Sequence, residues 1–178
     1  MPIFPDYDSF AAAYEKGEAQ IVSTRLVADL ETPVSAMLKL TRSAKYSFLL
    51  ESVEGGAVRG RYSIIGMNPD MIWKVAGSEA SINRKALHNP DGPFEPARLA
   101  PLESLRALLA ESRITLGSDA PPMAAGVFGY IGYDMVRLME DLPEPNPDTL
   151  GLPDGMMIRP TVMAIFDSVR DEVTVTSP

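Results

Sequence analysis

Two apolar segments decide the fold of this chain: Tyr46-Ser-Phe-Leu-Leu-Glu-Ser-Val53 and Gly60-Arg-Tyr-Ser-Ile-Ile-Gly66, with the polar Glu54-Gly-Gly56 between them. Both segments are rich in β-branched and aromatic residues, so they predict two strands joined by a turn. The continuous run Phe48-Leu-Leu50 further predicts that the first strand is buried on both faces.

Glu51 and Ser52 follow that apolar run without a spacer. A carboxylate at the end of a buried strand is costly unless a cation meets it. One interpretation is that the strand reaches the surface at Glu51 and the side chain points to water. The other is that Glu51 and Ser52 face a pocket, where they hold the ammonium and carboxylate groups of a small zwitterion.

Length and composition indicate a globular protein and exclude several classes of function. The 178 residues are 46% hydrophobic and 22% charged, so we expect one domain over residues 1–178 with a substantial core. The net charge of −8 disfavours nucleic acid as a partner. No cysteine is present, which excludes disulfides and thiolate metal sites. The sequence has no secretory signal and no apolar run long enough to cross a bilayer, so we expect a cytoplasmic protein with no membrane partner.

The sequence shows no complete active site. His88 is the single histidine, and it adjoins the turn signal Asn89-Pro-Asp-Gly92. With no cysteine and only this histidine, neither a Ser/His/Asp nor a Cys/His arrangement can be assembled convincingly. No glycine-rich phosphate loop of the usual spacing occurs.

Hydrophobic periodicity and capping signals predict an α+β fold, with mainly antiparallel sheet and helices packed outside it. The predicted helices cover residues 5–17, 32–43, 101–113 and 134–140, and further strands cover residues 20–27, 71–76, 79–87, 123–133, 156–167 and 172–176. Asp6 or Asp8, Thr32 and Asp134 are the expected helix caps. The predicted inward faces are formed by the second-helix residues Val34, Met37, Leu38 and Thr41, the third-helix residues Leu102, Leu105, Leu108 and Leu109, and the fourth-helix residues Met135, Leu138 and Met139.

Three further features carry local predictions. Trp73, the single tryptophan, lies in a predicted strand and is expected in the core. The regular spacing of Gly126, Gly129 and Gly132 predicts that another backbone packs closely against this segment. Arg61 is a candidate ion-pair partner for Glu51 or Glu54, a pairing that would compete with a ligand ammonium.

Several stretches together resemble the N-terminal domain of anthranilate synthase component I, a member of the chorismate-utilising enzymes. They are Arg25-Leu-Val-Ala-Asp-Leu-Glu-Thr-Pro-Val-Ser-Ala36, Phe48-Leu-Leu-Glu-Ser52, Gly60-Arg-Tyr-Ser-Ile-Ile-Gly66, Gly126-Val-Phe-Gly-Tyr-Ile-Gly-Tyr-Asp-Met-Val-Arg137 with Glu140 and Leu142-Pro143, and Ile165-Phe-Asp167. Each motif alone is weak to moderate, but their order and spread make the resemblance strong.

The resemblance implies that catalysis and feedback regulation lie in different domains of a longer enzyme. The chorismate site, its Mg²⁺ ligands and its catalytic groups are expected in a C-terminal domain, so no catalytic residue, metal ligand or cofactor is assigned here. This region is expected to contribute to a β-sandwich and to carry part of the feedback site for L-tryptophan. The residues that match the family's tryptophan-contacting segments are Leu50, Glu51, Ser52, Pro33 and Ser35. The implied partners are the protein's own C-terminal domain and a glutamine amidotransferase subunit or domain.

Two alternatives remain open from the sequence. The related 4-amino-4-deoxychorismate synthase component I shares the fold and the glutamine partner. A stand-alone amino-acid-binding module would also fit a pocket at Glu51 and Ser52. Because the chain stops at Pro178 directly after a predicted strand, we expect the natural protein to continue.

Overall fold

The computed structural model describes residues 2–42, 44–54, 58–117, 120–143 and 147–178. Within these ranges the strands are β1 (Ile3–Phe4), β2 (Val22–Val27), β3 (Phe48–Glu54), β4 (Val58–Ala76), β5 (Glu79–Asn83), β6 (Glu95–Pro96), β7 (Phe128–Ile131), β8 (Gly155–Asp167) and β9 (Glu172–Ser177). The helices are α1 (Tyr7–Glu15), α2 (Pro33–Leu40), α3 (Pro101–Glu111) and a 3₁₀ helix (Tyr133–Leu138).

The strand pairs β1–β2, β2–β9, β8–β9, β3–β4, β4–β5, β5–β6 and β7–β8 are all antiparallel. This mixture of helices with a mainly antiparallel sheet confirms the predicted α+β fold class.

Contacts divide the chain into two compact units. The first unit comprises Met1–Pro69, Ile114–Gly126 and Pro160–Pro178, and the second comprises Asp70–Arg113 and Val127–Arg159. The prediction of a single domain over residues 1–178 stays a prediction.

In the first unit the strand order is β1-β2-β9-β8-β4, with β3 paired to β4. One buried cluster of this unit consists of Ala36, Ile65, Met67, Ala164, Phe166 and Val173. The core side chains come from α2, β4, β8 and β9, so one face of the sheet is covered by α2.

The residues at the start of α2 are those predicted, but the helix buries a different face from the one predicted. Thr32 is the N-cap, as predicted, and Pro33 occupies the first helical position. Ala36 is buried and Met37 packs against the core, whereas Val34 and Leu38 are 50% and 69% exposed. The short Ala36 side chain allows α2 to approach the sheet closely, so Val34 and Leu38 lie outside the contact. The predicted end near Ser43 lies outside the described residues; the helix ends at Leu40.

Strands β3 and β4 differ from the prediction in two respects. Leu50 is 47% exposed, so the expectation of a strand buried on both faces is wrong. Leu49 packs against the buried cluster of this unit, so the next residue, Leu50, points to the opposite face of the strand, where it is exposed. In addition, β4 is one strand of 19 residues where two were predicted, and it accommodates Asn68 with a positive φ of 52°. The predicted turn at Gly55 and Gly56 lies outside the described residues.

The core of the second unit surrounds Trp73, as predicted. Trp73 is fully buried, and its indole Nε1–H donates to Ser104 Oγ of α3 at 3.1 Å. Leu105 and Leu108 of α3 pack in the same cluster, whereas Leu109 is exposed. A buried indole N–H needs a partner, and Ser104 supplies one without disturbing the apolar contacts.

The glycine-rich segment before the 3₁₀ helix packs tightly, as its spacing predicted. A Cβ on Gly129 would overlap the carbonyl oxygen of Met156 on β8, and a Cβ on Gly132 would lie 2.6 Å from the carbonyl oxygen of Asp154. The helix predicted after Gly132 is a 3₁₀ helix whose N-cap is Gly132, so Asp134 is not the cap: it lies in the first turn, where its carboxylate accepts from Arg137 Nε at 3.1 Å. Met135 is buried as predicted, but Met139 is 65% exposed.

Candidate functional site

A pocket of about 320 Å³ in the first unit brings Pro33, Glu51 and Ser52 together. Its walls are formed by the start of α2, the middle of β3, the first half of β4 and the turn between β8 and β9. Three of the five residues that the sequence singled out therefore line one cavity. Leu50 and Ser35 do not line it.

Ser35 instead holds the start of α2 in place. Its Oγ accepts from the backbone N–H of Thr32 at 3.0 Å, and Thr32 Oγ1 accepts from the N–H of Ser35 at 3.1 Å. This reciprocal pair is a capping box, in which serine replaces the more usual Glu or Gln. It fixes the N-terminal end of α2 at the pocket, where the helix dipole places partial positive charge.

Glu31 extends the same network. Its carboxylate accepts from Ser35 Oγ at 2.7 Å and pairs with Lys39 one turn further along α2. These hydrogen bonds, first from Lys39 and then from Ser35, lower the pKa of Glu31 below its ordinary value. Although Glu31 lines the pocket, its charge is therefore already compensated.

Unlike the carboxylate of Glu31, the carboxylate of Glu51 is not compensated by a cation of the described residues. Glu51 is exposed within the pocket wall, and in the cross-strand register it lies opposite Ser63. Among the residues described, none donates a hydrogen bond to its carboxylate or forms an ion pair with it. Successive side chains of a strand point to opposite faces, so Leu50 faces away from the pocket that Glu51 lines.

Arg61 binds Asp167, and the sequence-based pairing with Glu51 is wrong. Arg61 Nε and Nη2 donate to the two carboxylate oxygens of Asp167 at 2.9 and 2.7 Å. These hydrogen bonds hold the pKa of Asp167 below its ordinary value. The alternative partner, Glu54, has a side chain outside the described part. Sequence reasoning missed this pair because the two residues are 106 positions apart.

The pocket carries excess negative charge. Asp171 and Glu172 also line it, and neither takes part in an ion pair with any residue that the structure describes. Together with Glu51 they favour a ligand that bears an ammonium group. Over the described residues, no group of three or more His, Asp or Glu side chains is placed to hold a metal ion.

None of the helices in the described part combines the length and the apolar character needed to cross a lipid bilayer.

Comparisons with known proteins agree on one family. No protein-family model matches the chain. Anthranilate synthase component 1 of Cereibacter sphaeroides is 54% identical over 172 residues, which cover 97% of this chain and 34% of that protein. Anthranilate synthase component 1 of Thermus thermophilus is 38% identical over 154 residues, which cover 85% of this chain and 30% of that protein.

The chain thus spans about a third of the length of these relatives. A crystal structure of anthranilate synthase component I from Streptococcus pneumoniae TIGR4 is similar in fold, with a TM-score of 0.55 over 87% of this chain and 31% of that chain, at 22% identity. By sequence and by fold, the chain is therefore a relative of the N-terminal region of anthranilate synthase component I.

Proposed function

We propose that this chain is the tryptophan-sensing part of an anthranilate synthase component I, which converts chorismate and glutamine or ammonia into anthranilate and pyruvate in the first step of tryptophan biosynthesis. One observation carries the proposal: Pro33, Glu51 and Ser52 line one pocket, and the Glu51 carboxylate has no partner among the described residues. The function is regulatory in this region, and the chemistry belongs to the C-terminal domain.

The pocket suits the three parts of L-tryptophan. The Glu51 carboxylate accepts hydrogen bonds from the ligand ammonium. The hydroxyl or amide of Ser52 provides a donor for the ligand carboxylate, and the N-terminal end of α2 provides partial positive charge. Val34 and Phe166, which also line the pocket, provide apolar surface for the indole in place of Leu50. The volume is near the lower end of the range of about 300–1,000 Å³ for small-molecule sites.

Inhibition from this site requires that tryptophan bind two arrangements of the enzyme with different affinity. We propose that the C-terminal domain holds the Mg²⁺ and the catalytic groups, and that a glutamine amidotransferase supplies ammonia. In this scheme the present region contributes no catalytic residue. Its residues bind and orient the inhibitor.

The test is the substitution Ser52→Phe in the full-length protein. The phenyl ring fills the pocket, so inhibition of anthranilate formation by L-tryptophan should be lost while activity without tryptophan persists. Calorimetric titration with L-tryptophan should show binding to the wild type and none to the variant. Inhibition of Ser52→Phe at the wild-type tryptophan concentration would show that the pocket assignment is wrong.

The same protein, supplied with chorismate and ammonia, tests the chemistry separately. Anthranilate as the product supports the proposed enzyme. Formation of 4-amino-4-deoxychorismate would instead assign the region to the related synthase, and tryptophan binding by a protein without either activity would indicate a binding module.

A further inference from the structure

Strands β3 and β4 are out of regular register at the pocket. Glu51 pairs with Ser63, but Val53 pairs with Arg59. The single residue Ser52 therefore lies opposite three residues of β4, which are Gly60, Arg61 and Tyr62. Irregularities of this kind re-aim side chains and are common beside functional sites.

Gly60 leaves the space in which the Ser52 side chain lies. Gly60 is buried and lines the pocket. A Cβ at this position would overlap both Oγ and Cβ of Ser52 and would lie 3.0 Å from its carbonyl carbon. Because the Ser52 Cβ overlaps as well as the hydroxyl, and its position does not depend on the rotamer, a change of the Ser52 rotamer cannot relieve the overlap. The backbone of β3 would have to move.

The β4 side of this irregularity is held in place. The Ser168 N–H donates to the carbonyl oxygen of Arg61 at 2.9 Å, and Ser168 Oγ donates to the same oxygen at 3.1 Å. The Arg61 side chain forms its two hydrogen bonds with Asp167. These contacts oppose a shift of β4 away from Ser52, so an added methyl group at position 60 displaces Ser52.

We propose that Gly60 is a positioning residue of the ligand pocket, which sets the location of the Ser52 hydroxyl and amide and thereby the sensitivity to L-tryptophan. Gly60 offers no polar side chain to the ligand and acts through Ser52. The proposal rests on the proposed function, since it takes L-tryptophan as the ligand.

The test is a thermodynamic cycle of Gly60→Ala and Ser52→Gly in the full-length protein, with L-tryptophan affinity measured by calorimetry. Gly60→Ala should weaken binding by about tenfold or more, the factor expected from loss of one hydrogen bond to a charged ligand group. In the Ser52→Gly background, which removes the overlapping atoms, Gly60→Ala should have no further effect. Gly117→Ala is the matched control, because a Cβ there meets no atom within 4 Å and should leave affinity unchanged.

Two results overturn the proposal. One is wild-type affinity in Gly60→Ala, and the other is an equal loss of affinity whether residue 52 is serine or glycine. If Gly60→Ala does not fold, the double variant must fold, since it lacks the overlap; failure of both also overturns the proposal.

A crystal structure of Gly60→Ala measures the displacement of Ser52 without any ligand. A displaced Ser52 in a protein whose wild type binds no L-tryptophan would refute the proposed function and the sensing role of Gly60, but not the steric coupling. An undisplaced Ser52 would refute the coupling itself.

Discussion

Replacing Glu51 by glutamine removes one negative charge from the pocket while keeping nearly the same shape. In the proposed complex, Glu51 accepts a charge-assisted hydrogen bond from the ammonium of L-tryptophan. A hydrogen bond to a charged group contributes about 1.5–3 kcal/mol net. Glu51 is exposed in an open pocket, so solvent screening favours the lower end of that range. A loss of about 1.5 kcal/mol corresponds to roughly tenfold weaker binding.

The assay is the inhibition constant of L-tryptophan for anthranilate formation by the full-length protein, together with calorimetric affinity. Glu172→Gln is the matched control, because it makes the same chemical change in the same pocket. We expect Glu51→Gln to raise the inhibition constant roughly tenfold and Glu172→Gln to have a much smaller effect, since only the first removes the negative charge of the group that accepts from the ligand ammonium. An unchanged constant in Glu51→Gln, or a larger effect of Glu172→Gln, would refute the placement of the ammonium at Glu51.

Two further predictions concern stability. Ser104→Ala leaves the buried indole N–H of Trp73 without its acceptor and should lower the free energy of unfolding by about 1–3 kcal/mol, as measured by chemical denaturation. In a Trp73→Phe background the same substitution should lower the free energy of unfolding by less. An equal loss in both backgrounds would contradict the role of this hydrogen bond. Asp167→Asn weakens the ion pair with Arg61. Because the pKa of Asp167 is lowered in the folded state, the contribution of this carboxylate to stability is present above the unfolded pKa of about 3.9 and is lost as pH falls through the lower folded value. The stability difference between wild type and Asp167→Asn should therefore be largest near neutral pH and should shrink below about pH 4, and a difference independent of pH would exclude this ion pair as its source.

The pocket has two kinds of polar group, and they have separate tasks. Thr32, Ser35 and Glu31 bind one another and Lys39, so their polar atoms hold α2 in place. Glu51 is not engaged in this way by the described residues. This contrast is why the proposal assigns ligand binding to Glu51 and a structural role to Ser35, although the resemblance placed both residues near tryptophan.

Local sequence determined most of the secondary structure. The capping residues Asp6 and Thr32 begin α1 and α2, and the leucine spacing marks α3. The β-type run over residues 156–167 and the alternating residues 172–176 mark the β8–β9 hairpin. These features depend on neighbours within a few positions, where capping, periodicity and turn propensity act. The local pattern of a polar pair directly after an apolar run also marked Glu51 and Ser52 as candidate site residues, and the family resemblance added Leu50.

Only the tertiary structure decided which side chains meet. Arg61 pairs with Asp167 across 106 positions, Leu50 faces away from the pocket, and α2 buries Ala36 instead of Val34 and Leu38. The irregular strand register that places Ser52 opposite Gly60 also cannot be read from either segment alone. Such outcomes depend on close packing between distant segments and on a local irregularity in strand pairing, and the pattern within one segment does not specify either of them.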